Sequence, residues 1–110
     1  MEDCLFCKFV KTPDAFNVSY LYEDDLCIVF QDINPKAETH LLIVPKKHVS
    51  QLSNSGKEDV SILGHLLYVS KLLSDKYELP DYNIKINNGA GAGQEIFHLH
   101  LHFLSNKRFK

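Results

Sequence analysis

Three histidines, His98, His100 and His102, alternate with Leu99, Leu101 and Phe103 near the end of the sequence. Side chains at i, i+2 and i+4 of a β-strand share one face, with neighbours about 6–7 Å apart. The spacing therefore predicts an imidazole row on one side of a strand over 96–104 and an apolar core face on the other. Imidazole serves as nucleophile, hydrogen-bond donor or cation near neutral pH. One metal held by all three is disfavoured, because ligands about 2.0–2.1 Å from an ion must converge and side chains along one strand diverge. A phosphate fits such a face better. Just ahead of it, Asn87-Asn88-Gly89-Ala90-Gly91-Ala92-Gly93-Gln94 supplies three glycines that let backbone N–H groups approach an anion.

A second constellation lies at the other end of the chain. Cys4 and Cys7 form a C-x-x-C pair, and with Cys27 they make an odd number of cysteines, which argues against a disulfide framework. In a reducing compartment such a pair is a metal or redox device. A structural zinc would need two more ligands, and His48 and His98 are the candidates. Cys27, inside Leu26-Cys27-Ile28-Val29-Phe30, reads as a buried core thiol. His65, among Leu63, Leu66 and Leu67, reads as packed or rim-exposed rather than functional.

These groups need elements to position them. Cys4 to Lys11 predicts a short helix stopped by Pro13. Val18–Tyr22 and Leu26–Gln31, rich in β-branched and aromatic residues around Glu23-Asp24-Asp25, predict a hairpin. A third strand, His40–Val44, ends at Pro45, which has no N–H to donate. Val60, Leu63, Leu66, Leu67 and Leu73 recur at mostly helical spacing, so Lys57 to Lys76 predicts the one long helix, with Asn54-Ser55-Gly56 ahead and Leu79-Pro80 behind. Tyr82–Asn87 and Ile96–Leu104 complete the strands. Strands with one inserted helix predict an α+β domain with a mainly antiparallel sheet.

Composition bounds the function. With 110 residues, 45% hydrophobic and 24% charged, the chain is sized for one globular domain over residues 1–110. A net charge of −2 provides no field for a nucleic-acid polyanion. No run approaches the roughly 18 apolar residues of a membrane span, and Met1-Glu2-Asp3-Cys4 carries no apolar leader, so no membrane association and a cytoplasmic location are expected.

The sequence resembles the histidine triad (HIT) superfamily, and within it the Hint-like branch of purine nucleoside phosphoramidases. The resemblance spans almost the whole chain. It rests on Cys4-Leu5-Phe6-Cys7-Lys8, on Phe30-Gln31-Asp32-Ile33-Asn34-Pro35, on Thr39 to His48, and on Gly93 to Leu104 with its alternating histidines. It implies a HIT-like α+β domain with a five-stranded antiparallel sheet, one long helix and a short N-terminal helix, paired as a homodimer. It implies hydrolysis of a nucleoside 5'-phosphoramidate, or a related nucleotidyl conjugate, through a nucleotidyl-histidine intermediate, with no cofactor in the chemical step.

By the same resemblance His100 is the nucleophile, His102 binds the phosphate, and His40 sits behind the nucleophile and fixes its tautomer. Asn87, Gly93 and Gln94 contact the phosphate or ribose side, Asp32 accepts from the ribose hydroxyls, and Ile33 with Phe30 walls the base pocket. Cys4, Cys7, His48 and His98 resemble the ligands of one structural zinc per chain, which gives His98 to the metal. Glu95 stands where such enzymes usually carry a serine that assists the departing amine, so the leaving-group preference is open. Two other readings compete: a dinucleoside polyphosphate hydrolase, and a nucleotide-binding scaffold with little turnover.

Overall fold

A computed structural model describes residues 4–108 of the chain. Five strands, β1 (Tyr22–Glu23), β2 (Cys27–Gln31), β3 (Thr39–Pro45), β4 (Asn83–Lys85) and β5 (Leu101–Ser105), form one sheet in the order β1-β2-β3-β5-β4. Every pairing is antiparallel. Two helices accompany it, α1 (Leu5–Lys11) and α2 (Val60–Tyr77). This is the α+β fold expected from the sequence, with the long helix inserted between β3 and β4.

The sheet is apolar on both faces at its centre, and that decides where the site lies. Alternation along β3 sends Leu41 and Ile43 into a core with Val29, Leu101, Phe103 and the α2 residues Leu66, Val69 and Leu73. The intervening Leu42 and Val44 join Ile28, Phe30 and Phe6 of α1 in a second cluster. All seven residues of β3 are buried as a result. The histidine face is therefore roofed in part by α1 and is not an open polar surface.

Element ends follow local chemistry. The Cys4 thiol caps α1 by accepting from the Cys7 N–H at 3.3 Å. The Thr12 N–H closes the last turn on the Lys8 carbonyl, and Pro13 begins the 3-10 turn that follows. Helix α2 starts after a 3-10 turn over Lys57–Asp59, where the Asp59 carboxylate accepts from Gly56 N–H and pairs with Lys47. It ends at Glu78 in the left-handed region, φ 55°, just before Leu79-Pro80.

Four of the strands are shorter than the sequence pattern predicts, while β3 extends one residue beyond it at each end. Of the first run only Tyr22 enters the ladder, joined by Glu23 from the expected turn, and Tyr82–Asn87 contributes Asn83–Lys85. The largest difference is at the last strand, which begins at Leu101 and leaves His98, Leu99 and His100 ahead of it. Ile43 pairs with Leu101, so continuing that register would set Leu99 opposite Pro45, which has no N–H to donate. Leu99 N–H turns instead to the Val49 carbonyl at 2.6 Å. Composition alone does not reveal that change of partner.

The β1–β2 turn is held by one carboxylate. Asp24 Oδ1 accepts from Leu26 N–H at 2.8 Å and Cys27 N–H at 2.9 Å, while Oδ2 accepts from Tyr22 O–H at 2.8 Å and faces His65 Nε2 at 2.6 Å. His65 is thus a structural partner that pins α2 to the turn, and Cys27 is fully buried, as its apolar context predicts. Burial would raise the Asp24 carboxyl, but the hydrogen bonds from His65, Leu26, Tyr22 and Cys27 outweigh it and hold it well below the usual carboxylate range. A depressed carboxyl stabilises the fold above its unfolded value of about 3.9, and that contribution fades as pH falls toward the folded value. Asp24→Ala is expected to cost about 1–3 kcal/mol in urea denaturation at pH 7. The penalty should shrink near pH 3, and an equal cost at both pH values would contradict this role.

Candidate active site

Beside the second apolar cluster the fold leaves a cavity of about 600 Å³, within the ordinary range for small-molecule sites. Four aromatic side chains wall it, Phe6 and Phe9 from α1, Phe16 from the following turn and Phe30 from β2. Their rings interlock: Phe9 lies 5.6 Å from Phe16 and 5.5 Å from Phe30, and Phe6 lies 5.6 Å from Phe30. The same cavity is lined by His100 and His102, with Asn87, Gly93 and Glu95 from the loop ahead of β5 and Asp32 and Ile33 from the end of β2. Ile33 is 91% exposed, so it forms the rim rather than an inner wall.

The hydrogen bonds around the histidines fix which ring nitrogen carries the proton. His100 Nδ1–H donates to the His98 carbonyl at 2.8 Å, which leaves a lone pair on Nε2 of the neutral ring. His40 Nδ1 accepts from Lys36 N–H at 3.0 Å, so the proton of neutral His40 is on Nε2. That Nε2 lies 2.9 Å from His102 Nδ1 and 3.4 Å from Asp32 Oδ2. His102 Nδ1 is therefore the acceptor, and neutral His102 carries its proton on Nε2. This Nε2 is buried and has no hydrogen-bond partner among the described residues.

The two adjacent rings, with centroids 4.9 Å apart, thus have opposite roles. His100 Nε2 has a lone pair to give, and His102 Nε2–H has a hydrogen bond to donate. Burial keeps both neutral at pH 7: it lowers His100, and with the nearby His100 and His40 rings it brings His102 down to about 4. Burial also lowers His40, against the opposing pull of Asp32. The expected place of His40 behind the nucleophile needs correction. It bonds His102, across the β3–β5 ladder, and orients that ring rather than His100.

Gln94 also departs from expectation, because its side chain does not line the cavity. Its Oε1 accepts from Gly89 N–H at 2.8 Å, and its Nε2 donates to the Ser50 carbonyl at 2.8 Å and the Ile96 carbonyl at 3.0 Å. Gly89 and Gly93 have φ of 92° and 91°, a region that costs an L side chain strain but glycine nothing. Gln94 and these two glycines shape the loop that brings Asn87, Gly93 and Glu95 to the cavity.

His98 is turned away from its two companions and is fully buried. Its Nε2–H donates to the Pro45 carbonyl at 2.7 Å, which directs the Nδ1 lone pair to the opposite side. There Nδ1 lies 3.3 Å from Cys4 Sγ, 3.5 Å from Cys7 Sγ and 3.2 Å from His48 Nδ1, while Cys7 Sγ is 3.3 Å from His48 Nδ1. Tetrahedral zinc with bonds of about 2.0–2.1 Å to nitrogen and 2.3 Å to sulfur sets N···N near 3.3 Å and S···N near 3.6 Å. Four converging donors at those separations could hold a metal ion, and the set is compatible with zinc. Burial lowers His98 to about 4, which keeps it a neutral ligand, and lowers His48 as well.

The structure thus gathers His100, His102, Asp32, Ile33, Phe30, Asn87, Gly93 and Glu95 at one cavity, and Cys4, Cys7, His48 and His98 at one cluster. Sequence reasoning missed the aromatic contribution of Phe6, Phe9 and Phe16. The available signal was the three-residue spacing of Phe6 and Phe9 on a helix whose start is tied down by Cys4 and Cys7.

Residues 16–109 match the HIT domain. The chain is 43% identical over 109 residues to an uncharacterised HIT-like protein of Synechocystis sp., covering 98% of this chain and 94% of that one. Among solved structures, a HIT family hydrolase from Legionella pneumophila superposes with a TM-score of 0.87 at 35% identity, covering 96% of this chain and 95% of the other. A HIT family hydrolase from Clostridium thermocellum gives 0.88 at 33% identity over 96% and 91%. The chain belongs to the HIT domain family, and its fold is that of hydrolases in this family. No helix among the described residues is long and apolar enough to cross a membrane.

Gln94→Ala strands a Gly89 N–H and two carbonyls, and is expected to cost roughly 1–3 kcal/mol. Urea denaturation measures it, and a change within about 0.5 kcal/mol, the usual range for surface substitutions, would remove the clamp role.

Proposed function

We propose that this protein is a nucleotide hydrolase that cleaves nucleoside 5'-phosphoramidates, or related nucleotidyl conjugates, through a nucleotidyl intermediate on His100. One observation carries the reading: a lone-pair nitrogen on His100 and a buried, partnerless N–H on His102 belong to rings that lie side by side in the lining of an aromatic-walled cavity. A phosphorus centre needs that pairing, a nucleophile and a donor for the charge on its oxygens.

In the proposed reaction the base lies against Phe9, Phe16 and Phe30, and Asp32 accepts from the ribose hydroxyls. His100 Nε2 attacks phosphorus and a P–Nε2 bond forms. The bond from phosphorus to the amine nitrogen breaks, and that nitrogen keeps the electron pair and takes a proton from water. His102 Nε2–H donates to a non-bridging oxygen throughout, held in that orientation by His40. Water then attacks phosphorus, the P–Nε2 bond breaks and returns the lone pair to His100, and the water's proton passes to solvent. The products are the amine and a nucleoside monophosphate. Two displacements suit imidazole, a competent nucleophile and, while its nitrogen bears phosphorus, a good leaving group.

Cys4, Cys7, His48 and His98 are proposed to hold one structural zinc. Its chemistry there is that of a cross-link between the start of α1 and the segment ahead of β5, and no step of the reaction passes through it. We carry a homodimer forward from the family resemblance. Val60, Leu67 and Tyr68, exposed along α2, are side chains that a second copy would cover.

Incubation with adenosine 5'-phosphoramidate is expected to release AMP, and His100→Ala to lower kcat/KM by roughly 10³-fold or more. Rapid quenching at alkaline pH should trap an adenylyl group on the wild-type protein alone. Equal release by wild type and variant would end the assignment of His100. Metal analysis of protein purified without chelators should find about one zinc per chain, with Cys7→Ser losing it and melting lower. Metal-free wild-type protein with an unchanged melting temperature would remove the zinc.

A further inference from the structure

The charge pattern of the cavity bears on which leaving group it accepts. Among the described residues, its ionisable lining besides His100 and His102 consists of two carboxylates, Asp32 and Glu95, with no Lys or Arg. Asp32 is already engaged: Oδ1 accepts from Asn34 N–H at 2.9 Å and Oδ2 lies 3.4 Å from His40 Nε2. Glu95 is exposed, and none of the ion pairs among the described residues includes it. The Gln94 side chain fixes the backbone beside it through Gly89, Ser50 and Ile96, so the loop is held while the carboxylate is uncommitted. Lys36 and Lys85, whose charges reach His40, lie outside the lining.

Position matters as much as sign. In a displacement at phosphorus the attacking and leaving atoms lie roughly in line, on opposite sides of the centre. With the base against Phe9, Phe16 and Phe30 and phosphorus at His100, the lining residues left to face the departing group include Asn87, Gly93 and Glu95 of the loop ahead of β5. Of these three, only Glu95 carries a charge.

We infer that Glu95 is a specificity-determining residue that sorts leaving groups by charge. The site favours nucleotidyl conjugates whose departing amine bears a second, cationic group, and disfavours those with an anionic leaving group, polyphosphates included. This rests on the hydrolase reading above and adds the substrate class to it. An exposed carboxylate attracts an ammonium modestly and in a salt-dependent way, which sets the size of the effect. A polyphosphate brings several like charges to the same carboxylate, so its disadvantage is larger than that of a single carboxylate.

The test uses three adenosine 5'-phosphoramidates whose amines have matched length and end in an ammonium, a methyl or a carboxylate group. For the zinc-loaded wild-type protein at low salt, kcat/KM should fall in that order by about two- to fivefold at each step. The spread should narrow near 0.5 M salt, where the screening length is only a few ångströms. Glu95→Gln should bring the three values together, and Glu95→Lys should reverse their order. Each comparison is a ratio within one protein, so a change in overall rate does not enter it.

Equal values for the three substrates in the wild type, or a spread that persists in Glu95→Gln, would overturn the charge sorting while hydrolysis itself stands. If the substituted proteins do not fold, the wild-type salt series decides, and a spread insensitive to salt overturns the inference. Absence of AMP release from all three by the wild type would defeat the hydrolase reading, and the inference with it.

Discussion

The hydrogen bond from His100 Nδ1–H to the carbonyl of His98 is the constraint on which the site depends. It joins two residues that a regular strand would leave as equivalent neighbours on one face. Because Pro45 cannot continue the ladder, the chain ahead of β5 turns, and the His98 carbonyl becomes available to the ring two residues on. One broken ladder thus sets the tautomer of His100 and frees its Nε2. The companion relay, Lys36 N–H to His40 to His102, sets the opposite tautomer next door. Both depend on backbone groups in the segments that lead into β3 and β5.

The metal-ligand cluster and the cavity are mechanically one unit. His98 contributes its ring to Cys4, Cys7 and His48 and its carbonyl to His100, so the same residue faces both sites. Helix α1 makes a second connection. Its start carries the two thiols, and Phe6, between them, packs edge-on at 6.0 Å from the His98 ring and 5.1 Å from the His100 ring. A seven-residue helix is too short to be stable alone, so its order derives from these contacts. The aromatic wall that α1 contributes inherits that order.

Much of this was legible in the sequence, and the exceptions share a cause. Residue type and period identified the strand core, the long helix, the buried Cys27 and the two groups of chemistry-bearing side chains, because each is a local pattern. The four ligand candidates converge in the structure as their types implied. What the pattern could not contain was the choice of hydrogen-bond partner. Leu99 bonds Val49, His40 bonds His102, and Gln94 spends its amide on Gly89, Ser50 and Ile96. Each of these depends on which distant segment the fold brings near. His65 illustrates the same limit, since an Asp24 partner 41 positions away turns a rim histidine into a structural pin.

The central claim is that the fold gives adjacent histidines complementary tautomers, a lone pair at His100 Nε2 and a proton at His102 Nε2. Long-range proton–nitrogen NMR on protein labelled with ¹⁵N-histidine, near pH 7 and free of nucleotide, reads this directly. The account predicts that His100 is neutral and protonated at Nδ1, and that His40 and His102 are neutral and protonated at Nε2. A His100 ring protonated at Nε2, or a His102 ring protonated at Nδ1, would contradict it.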